Sequence, residues 1–495
     1  MGIIRLAAGA LLAIALLSSL ALASGFETTG LGWKARAMGG AFTAVADDWT
    51  AAYYNPAGYA WIKDNQAGGN SAFVHFRNSL NPNYVLGGIA DSTGYYNGRQ
   101  INNNFEVLSN PSAGVLTRMP LWGETVFGFS IYELFDQNIT WNLFRPLRAY
   151  NDSLDGALPP KEFYNNLDVV AFQLTIAHEF KKDKLSGGIG LQLLRGDLVY
   201  NTMSLRPNPI HDSISSQSIN FRPFDQIPEF SSQDGNGWGF GFRAGLLWKA
   251  TNRVNVGLTA AVPFDITIKG NAALSFFMPY IRADLRTGST IYPGTVKYLF
   301  VAGEKLDLNG NYSTTLRMPP SFTAGVAYSV NDKLTLDLDA QYTLWSRFKG
   351  FDFAYSNLVA ENRVMDSASI TNFFNSNLSS PVKWSDAGKV ALGGVYELNK
   401  TVTLMAGAFV DGSADKDNAG VVPQMVDLGS KFGLNGGLTV HVQQWDLGFS
   451  TSYTHYPELT ITNLQDLNGD GISDNVPGTY KAQTYESVFS VIYRF

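Results

Sequence analysis

From about residue 67 onward, apolar and polar residues change places at every second position over segments of about ten residues or more, the pattern of a β-strand with one greasy face. Trp238, Phe240, Phe242, Ala244, Leu246 and Trp248 fall on one face, with Gly239, Gly241, Arg243, Gly245, Leu247 and Lys249 opposite. Val170, Phe172, Leu174 and Ile176 oppose Ala171, Gln173, Thr175 and Ala177 in the same way. Leu334, Leu336, Leu338, Ala340, Tyr342 and Leu344 stand against Thr335, Asp337, Asp339, Gln341 and Thr343. Carboxylates and amides on one face of a strand cannot enter a dry core without partners. That face needs water or polar groups, and the other needs lipid or protein.

Turn spacing chooses lipid. Short polar turns at 121–124, 181–184, 250–253, 331–333, 399–401 and 443–445 alternate with long polar connections such as 201–235, 271–315 and 348–383. Short turns at one end and long loops at the other mark an outer-membrane barrel. The alternating segments read as strands near 67–77, 111–119, 125–135, 166–180, 185–200, 237–249, 254–269, 316–330, 334–347, 384–398, 402–411, 432–442, 445–456 and 484–495. The expected fold is therefore all-β, a transmembrane antiparallel barrel of about fourteen strands, an even number as bacterial single-chain barrels require. The last strand ends on Phe495, an aromatic terminus common among such barrels.

Composition agrees. Of 495 residues only 16% are charged, 45% are hydrophobic and none is cysteine, so disulfides, thiolate metal sites and cysteine nucleophiles are all excluded. A net charge of −6 offers no basic field for nucleic acid. Arg5, an apolar run from Leu6 to Leu22 and the small-residue end Ala21-Leu22-Ala23 read as a secretory signal over residues 1–23, cleaved before Ser24. Beyond it no stretch of eighteen apolar residues offers a membrane helix. The five histidines, His75, His178, His211, His441 and His455, are scattered, and nothing groups a nucleophile, a base and an orienting residue. An enzyme is not expected.

Residues 24–66 differ in kind, being rich in Gly, Ala and small polar residues without period-two patterning. Asp47-Asp48 ahead of Trp49–Tyr54 reads as a capped helical turn, and Pro56 keeps Asn55 out of the helical region. A compact segment of this kind before a wide barrel, here 67–495, is expected to fold into the lumen as a hatch, or plug.

The stretch Gly30-Leu31-Gly32-Trp33-Lys34-Ala35-Arg36-Ala37-Met38-Gly39-Gly40-Ala41-Phe42-Thr43-Ala44-Val45-Ala46-Asp47-Asp48, with Thr50–Gly58 after it, closely resembles the amino-terminal hatch of the long-chain fatty acid outer-membrane transporters, the FadL type. Asn55-Pro56-Ala57 matches that family's hatch motif, and Leu316–Tyr328 with Tyr342-Thr343-Leu344-Trp345-Ser346 is a second match. The resemblance covers the whole mature chain. It implies a monomeric barrel in outer-membrane lipid and lipopolysaccharide that takes up long-chain fatty acids or other hydrophobic molecules passively. Ligand would be captured by extracellular loops, bound in the barrel and released sideways past the hatch. The family also includes importers of aromatic hydrocarbons, and a general diffusion porin or an adhesion barrel are the competing readings.

Candidate site residues follow. Asn55, Pro56 and Ala57 would form a gate. A fatty acid carboxylate in an apolar pocket needs a cation or several donors, and strand parity points Arg243, Arg317 and Lys389 into the lumen, along with Asp337 and Asp339. No cofactor is expected apart from a structural calcium ion. Asp466, Asn468, Asp470, Ile472 and Asp474 carry the alternate oxygen spacing of a calcium loop, although Pro477 stands where its bidentate Glu would be.

Overall fold

The computed structural model describes Gly25 and residues 30–82, 100–103, 107–119, 125–143, 159–207, 226–277, 305–360, 378–415, 429–469 and 474–495. The expected signal segment 1–23 lies outside them. The strands are β1 (Gln66–Pro82), β2 (Ile101–Asn102), β3 (Val107–Arg118), β4 (Thr125–Trp141), β5 (Phe163–Lys181), β6 (Leu185–Pro207) and β7 (Gln226–Lys249). They continue as β8 (Val254–Pro263), β9 (Ile266–Phe277), β10 (Lys305–Leu316), β11 (Ser321–Asn331), β12 (Leu334–Thr343) and β13 (Gly350–Ala360). The last are β14 (Leu378–Pro381), β15 (Ala387–Glu397), β16 (Val402–Asp411), β17 (Lys431–Val442), β18 (Trp445–Ile461) and β19 (Gly478–Arg494).

All pair antiparallel, and β1 closes on β19 from Gln66 opposite Arg494 to Pro82 opposite Gly478. Five crossings of the wall are each built from two strands in line, β2/β3, β8/β9, β10/β11, β12/β13 and β14/β15, which leaves fourteen crossings in a closed barrel. Closing β1 on β19 removes the free edges of an open sheet, the condition for spanning lipid with strands.

The faces sort as the alternation requires. Phe240 is 66% exposed and Leu174 62% exposed on the outer wall, values that a hydrocarbon surrounding makes favourable. On β6 the outward residues are apolar from Gly187 to Leu193 and turn charged at Arg195 and Asp197. Tilted strands climb roughly 15 Å over such a span, which fits within an outer-membrane apolar band of about 25 Å. Trp248, Tyr396, Trp445 and Phe495 ring the end that carries the short turns. At the other end the ladder runs past the band: β6 reaches Pro207, β7 begins at Gln226, and β9 and β10 pair up to Phe277 opposite Lys305. Much of each connection expected to be loop is thus strand. Its outward face is polar, as at Asp234, Asn236 and Asn271, while Leu198, Tyr200, Leu274 and Phe276 are buried on the inward face, so the outward-apolar alternation of the band does not continue there.

Four neighbouring crossings break at one level, at 264–265, 317–320, 344–349 and 382–386. Asp265 ties three of the breaks together, accepting from Met318 N at 3.2 Å and pairing with Arg347 at 3.0 Å. Pro319 and Pro320, which have no N–H to give, stand in one of them.

Inside the barrel, residues 30–62 are almost wholly buried. They hold two short helices, α1 (Trp33–Ala37) and α2 (Ala51–Tyr54), and a 3-10 turn, Pro56–Trp61. Asn55 is extended at the end of α2, with φ −155° and ψ 101°, as the following proline dictates. Lumen-facing glycines make room for this segment: Gly257 and Gly325, paired across β8 and β11, back onto Thr43 and Ala44, and Gly393 and Gly407, paired across β15 and β16, back onto Met38.

Candidate functional site

The segment 30–62 grips the wall through polar contacts on all sides. Trp33 Nε1 donates to Thr439 Oγ1 at 2.7 Å, Thr259 Oγ1 donates to Tyr54 O at 2.9 Å, and Gln173 Nε2 donates to Ala52 O at 2.8 Å. Arg36 donates to Gly30 O at 2.8 Å and forms an ion pair with Glu486 on β19. Asp339 is spent on this grip as well, its Oδ2 accepting from Phe42 N at 3.0 Å and Thr43 N at 2.9 Å. Asp48 is fully buried, and that burial, with Asp47 beside it, raises its carboxyl pKa to about 6. Its Oδ1 accepts from the Thr50 backbone N at 2.8 Å.

Asn55, Pro56 and Ala57 sit against β6 and β7. Asn55 caps the 3-10 turn by accepting from Ala57 N, and its Nδ2 donates to Thr43 O at 2.9 Å and to Leu246 O at 3.0 Å. Ser186 Oγ donates to Ala57 O at 3.0 Å. Gly188 and Gly245 lie so close to Pro56 and Asn55 that a Cβ at either would collide with them.

Arg243 and Lys389 are brought together. Both line a cavity of about 40 Å³ between hatch and wall, with Tyr53, Tyr54, Asp339 and Gln341. The Arg243 guanidinium lies 4.7 Å from the Tyr53 ring centre, and Lys389 Nζ lies 4.7 Å from that of Phe409. A cavity of this size seats a carboxylate or a few waters, not an acyl chain. Arg317 is elsewhere, in the β10/β11 break and 3.9 Å from Asp352.

In the proposed calcium loop, Asp466 Oδ1 accepts from Gly469 N at 2.6 Å and Asp474 Oδ2 from Leu467 N at 2.7 Å, so both carboxylates brace the turn. Asn468 is in the same turn, and Asp470 and Ile472 lie outside the described residues. Among the described residues no group of three or more His, Asp or Glu is placed to hold a metal ion.

Two further features were not read from the sequence. The first is a run of aromatic rings in contact. Phe135 of β4 meets Trp345 at 6.1 Å, Trp345 meets Trp384 at 5.4 Å, and Trp384 meets Phe348 at 5.0 Å. Phe348 then meets Phe351, Phe351 meets Phe353 (both at 5.7 Å), and Phe353 meets Tyr200 at 5.3 Å and Tyr312 at 5.6 Å. The strand breaks aim Trp345, Phe348 and Trp384 inward, and Leu344-Trp345 at the end of an alternating segment was the available signal.

The second is a seam. β3 pairs with β4 only from Arg118–Val126 to Ala113–Ile131, although β3 begins at Val107 and β4 runs on to Trp141, paired throughout with β5. The register of β4 against β5 shifts between Glu133 and Phe135, which bulges Leu134. Above Ala113 the two strands are bridged by a side-chain bond, Asn110 Nδ2 donating to Asp136 Oδ2 at 2.9 Å. Pro111, which has no N–H to offer a neighbour, lies on β3 beside this seam and was the sequence signal for it.

A closed fourteen-strand barrel with an apolar outer band, a packed hatch and an aromatic-lined interior defines an outer-membrane transport barrel. The chain belongs to the outer membrane protein transport protein family (OMPP1/FadL/TodX), whose profile matches residues 14–495. It is 22% identical to outer membrane protein P1 of Haemophilus influenzae, over 94% of this chain and 92% of that protein. Among solved structures it is similar to a Pseudomonas aeruginosa FadL homologue, with a TM-score of 0.70, 18% identity, and coverage of 95% of this chain and 100% of that one. The P. putida toluene transporter TodX gives a TM-score of 0.66 at 16% identity, over 94% of this chain and 99% of that one.

Proposed function

We propose that this barrel carries hydrophobic molecules passively across the outer membrane as a monomer, taking them through the aromatic run and releasing them sideways through the β3–β4 seam into lipid. One observation carries the reading: the ladder between these two strands stops at Ala113–Ile131 while both strands go on, and Phe135, first in the aromatic run, stands just past the bulge on the seam's own strand. A greasy molecule gains nothing from an aqueous pore and returns to hydrocarbon through a side opening. The hatch that fills the lumen, with Asn55 bonded to the wall beside it, closes the direct route.

The rings favour neutral, flat ligands such as aromatic hydrocarbons, as the toluene transporter named above carries. Fatty acids are the second reading, favoured by Arg243 and Lys389 sharing a cavity. The test is a lock on the seam. Asn110→Cys with Asp136→Cys places two thiols where a hydrogen bond now spans the strands, and the chain has no other cysteine. Oxidation should abolish uptake of labelled toluene or palmitate by cells carrying the barrel, and reduction should restore it. Uptake that ignores the disulfide would sink lateral release.

A further inference from the structure

Just inside the seam the wall carries a row of small polar side chains. Ser490, Asn70 and Ser112 are opposite one another across β19, β1 and β3 and face the lumen. Ser130 on β4 is opposite Gly114, one step below. The indole of Trp49, from the hatch, rests on Gly68 and Gly114 so closely that no side chain fits at either position. Trp49 and Ser130 are fully buried, and Asn70 and Ser490 are 8% and 9% exposed.

Among the described residues, none of Trp49 Nε1, Asn70 Oδ1, Ser112 Oγ, Ser130 Oγ and Ser490 Oγ has a hydrogen-bond partner. Leaving one buried polar atom unpaired costs about 1–3 kcal/mol, so five such atoms in one patch describe a place built to meet polar atoms from outside the protein. Their chemistry is specific. The row holds a donor in the indole N–H, an acceptor in the amide oxygen, and three hydroxyls that do either, and it contains no charged group. A hydrocarbon leaves all of them unpaired, and a carboxylate has no proton to give Asn70 Oδ1. A hydroxyl accepts from Trp49 and donates to Asn70 at once.

We infer that Trp49, Asn70, Ser112, Ser130 and Ser490 form a subsite at the inner mouth of the seam for the hydroxyl group of a neutral hydrophobic ligand, such as a phenol or a long-chain alcohol. The inference rests on the proposed uptake of hydrophobic molecules and narrows it to hydroxylated ones.

The test uses three probes of one shape, 1-naphthol, naphthalene and 1-naphthoate, titrated calorimetrically into the full-length barrel in detergent. Naphthol should bind about tenfold more tightly than either of the others, the worth of one or two net hydrogen bonds. S112A/S130A, and separately W49F, which keeps an aromatic ring but deletes the N–H with the indole's five-membered ring, should bring naphthol down to the affinity of naphthalene while leaving naphthalene unchanged. Retention of the heat-dependent gel shift of a folded barrel checks each variant. Naphthalene binding with no preference for naphthol, or a preference that survives both variants, overturns the subsite alone: the row then holds water only. Saturable binding of none of the three overturns the uptake reading with it.

Discussion

Arg36 of the hatch and Glu486 of β19 form an ion pair in which the side chains are only 5% and 2% exposed. Removing one partner of such a pair strands a charge away from water and costs about 3–5 kcal/mol, whereas replacing both with apolar groups is often neutral. Glu486→Ala should therefore release the hatch. The expected result is a folded barrel whose residues 30–62 are cut by protease and which conducts ions in planar bilayers. Arg36→Met with Glu486→Met should restore protection.

Asp48 makes the hatch sensitive to pH. Its carboxyl is held at about 6 against an ordinary 3.8, so the folded hatch prefers the protonated form. A raised acid contributes stability in full below about pH 4 and loses it as pH rises through 6. The loss is on the order of 3 kcal/mol, from about two pKa units. Protease protection of the hatch should fall between pH 4 and pH 7, and Asp48→Asn should hold it level across that window.

Gly407 gives way to the backbone of Met38. Gly407→Val should leave a membrane-inserted, heat-modifiable barrel and displace the hatch, because the overlap is with main chain rather than a yielding side chain. Single-channel conductance would show it as steps absent from the parent. Silent bilayers would argue that the hatch tolerates the shift.

Arg243 and Lys389 separate the two ligand classes. If the cargo is neutral, Arg243→Met and Lys389→Met leave toluene uptake within about twofold of the parent. If it is a fatty acid, palmitate uptake falls at least tenfold in either, the worth of about one charged hydrogen bond. Competition between the two labels in one vesicle assay gives the answer.

The barrel was legible because its physics is local. An outward face in lipid and an inward face in polar contact write period two into each crossing, and β8, β12 and β16 begin where the alternation begins. The signal fades where the outward face leaves the lipid. Beyond Arg195 and Asp197 that face is polar while Leu198 and Tyr200 are buried inside, so the outward-apolar pattern breaks off and the outer parts of β6 and β7 looked like loop. The site was legible in part. Strand parity put Arg243, Lys389 and Asp339 in the lumen correctly, but which of them meet depends on strand neighbours far apart in sequence, and Arg317 falls into a break that parity cannot register. The use of Asp339 to hold Phe42 and Thr43 depends on a contact across 296 residues and more. The seam is harder still, being a place where pairing stops, and Pro111 was its one local mark.

The joint where the barrel meets itself gains a meaning from what lies behind it. Arg36 holds the β19 side of that joint and Trp49 presses on the β1 side, so the plug spans the two ends of the wall like a rivet set from within. Prying β1 from β19 would have to tear that fastening as well as the ladder. The same segment that blocks the lumen therefore stiffens the hoop at this joint, and the proposed opening falls instead on the neighbouring line between β3 and β4, where pairing already stops at Ala113–Ile131.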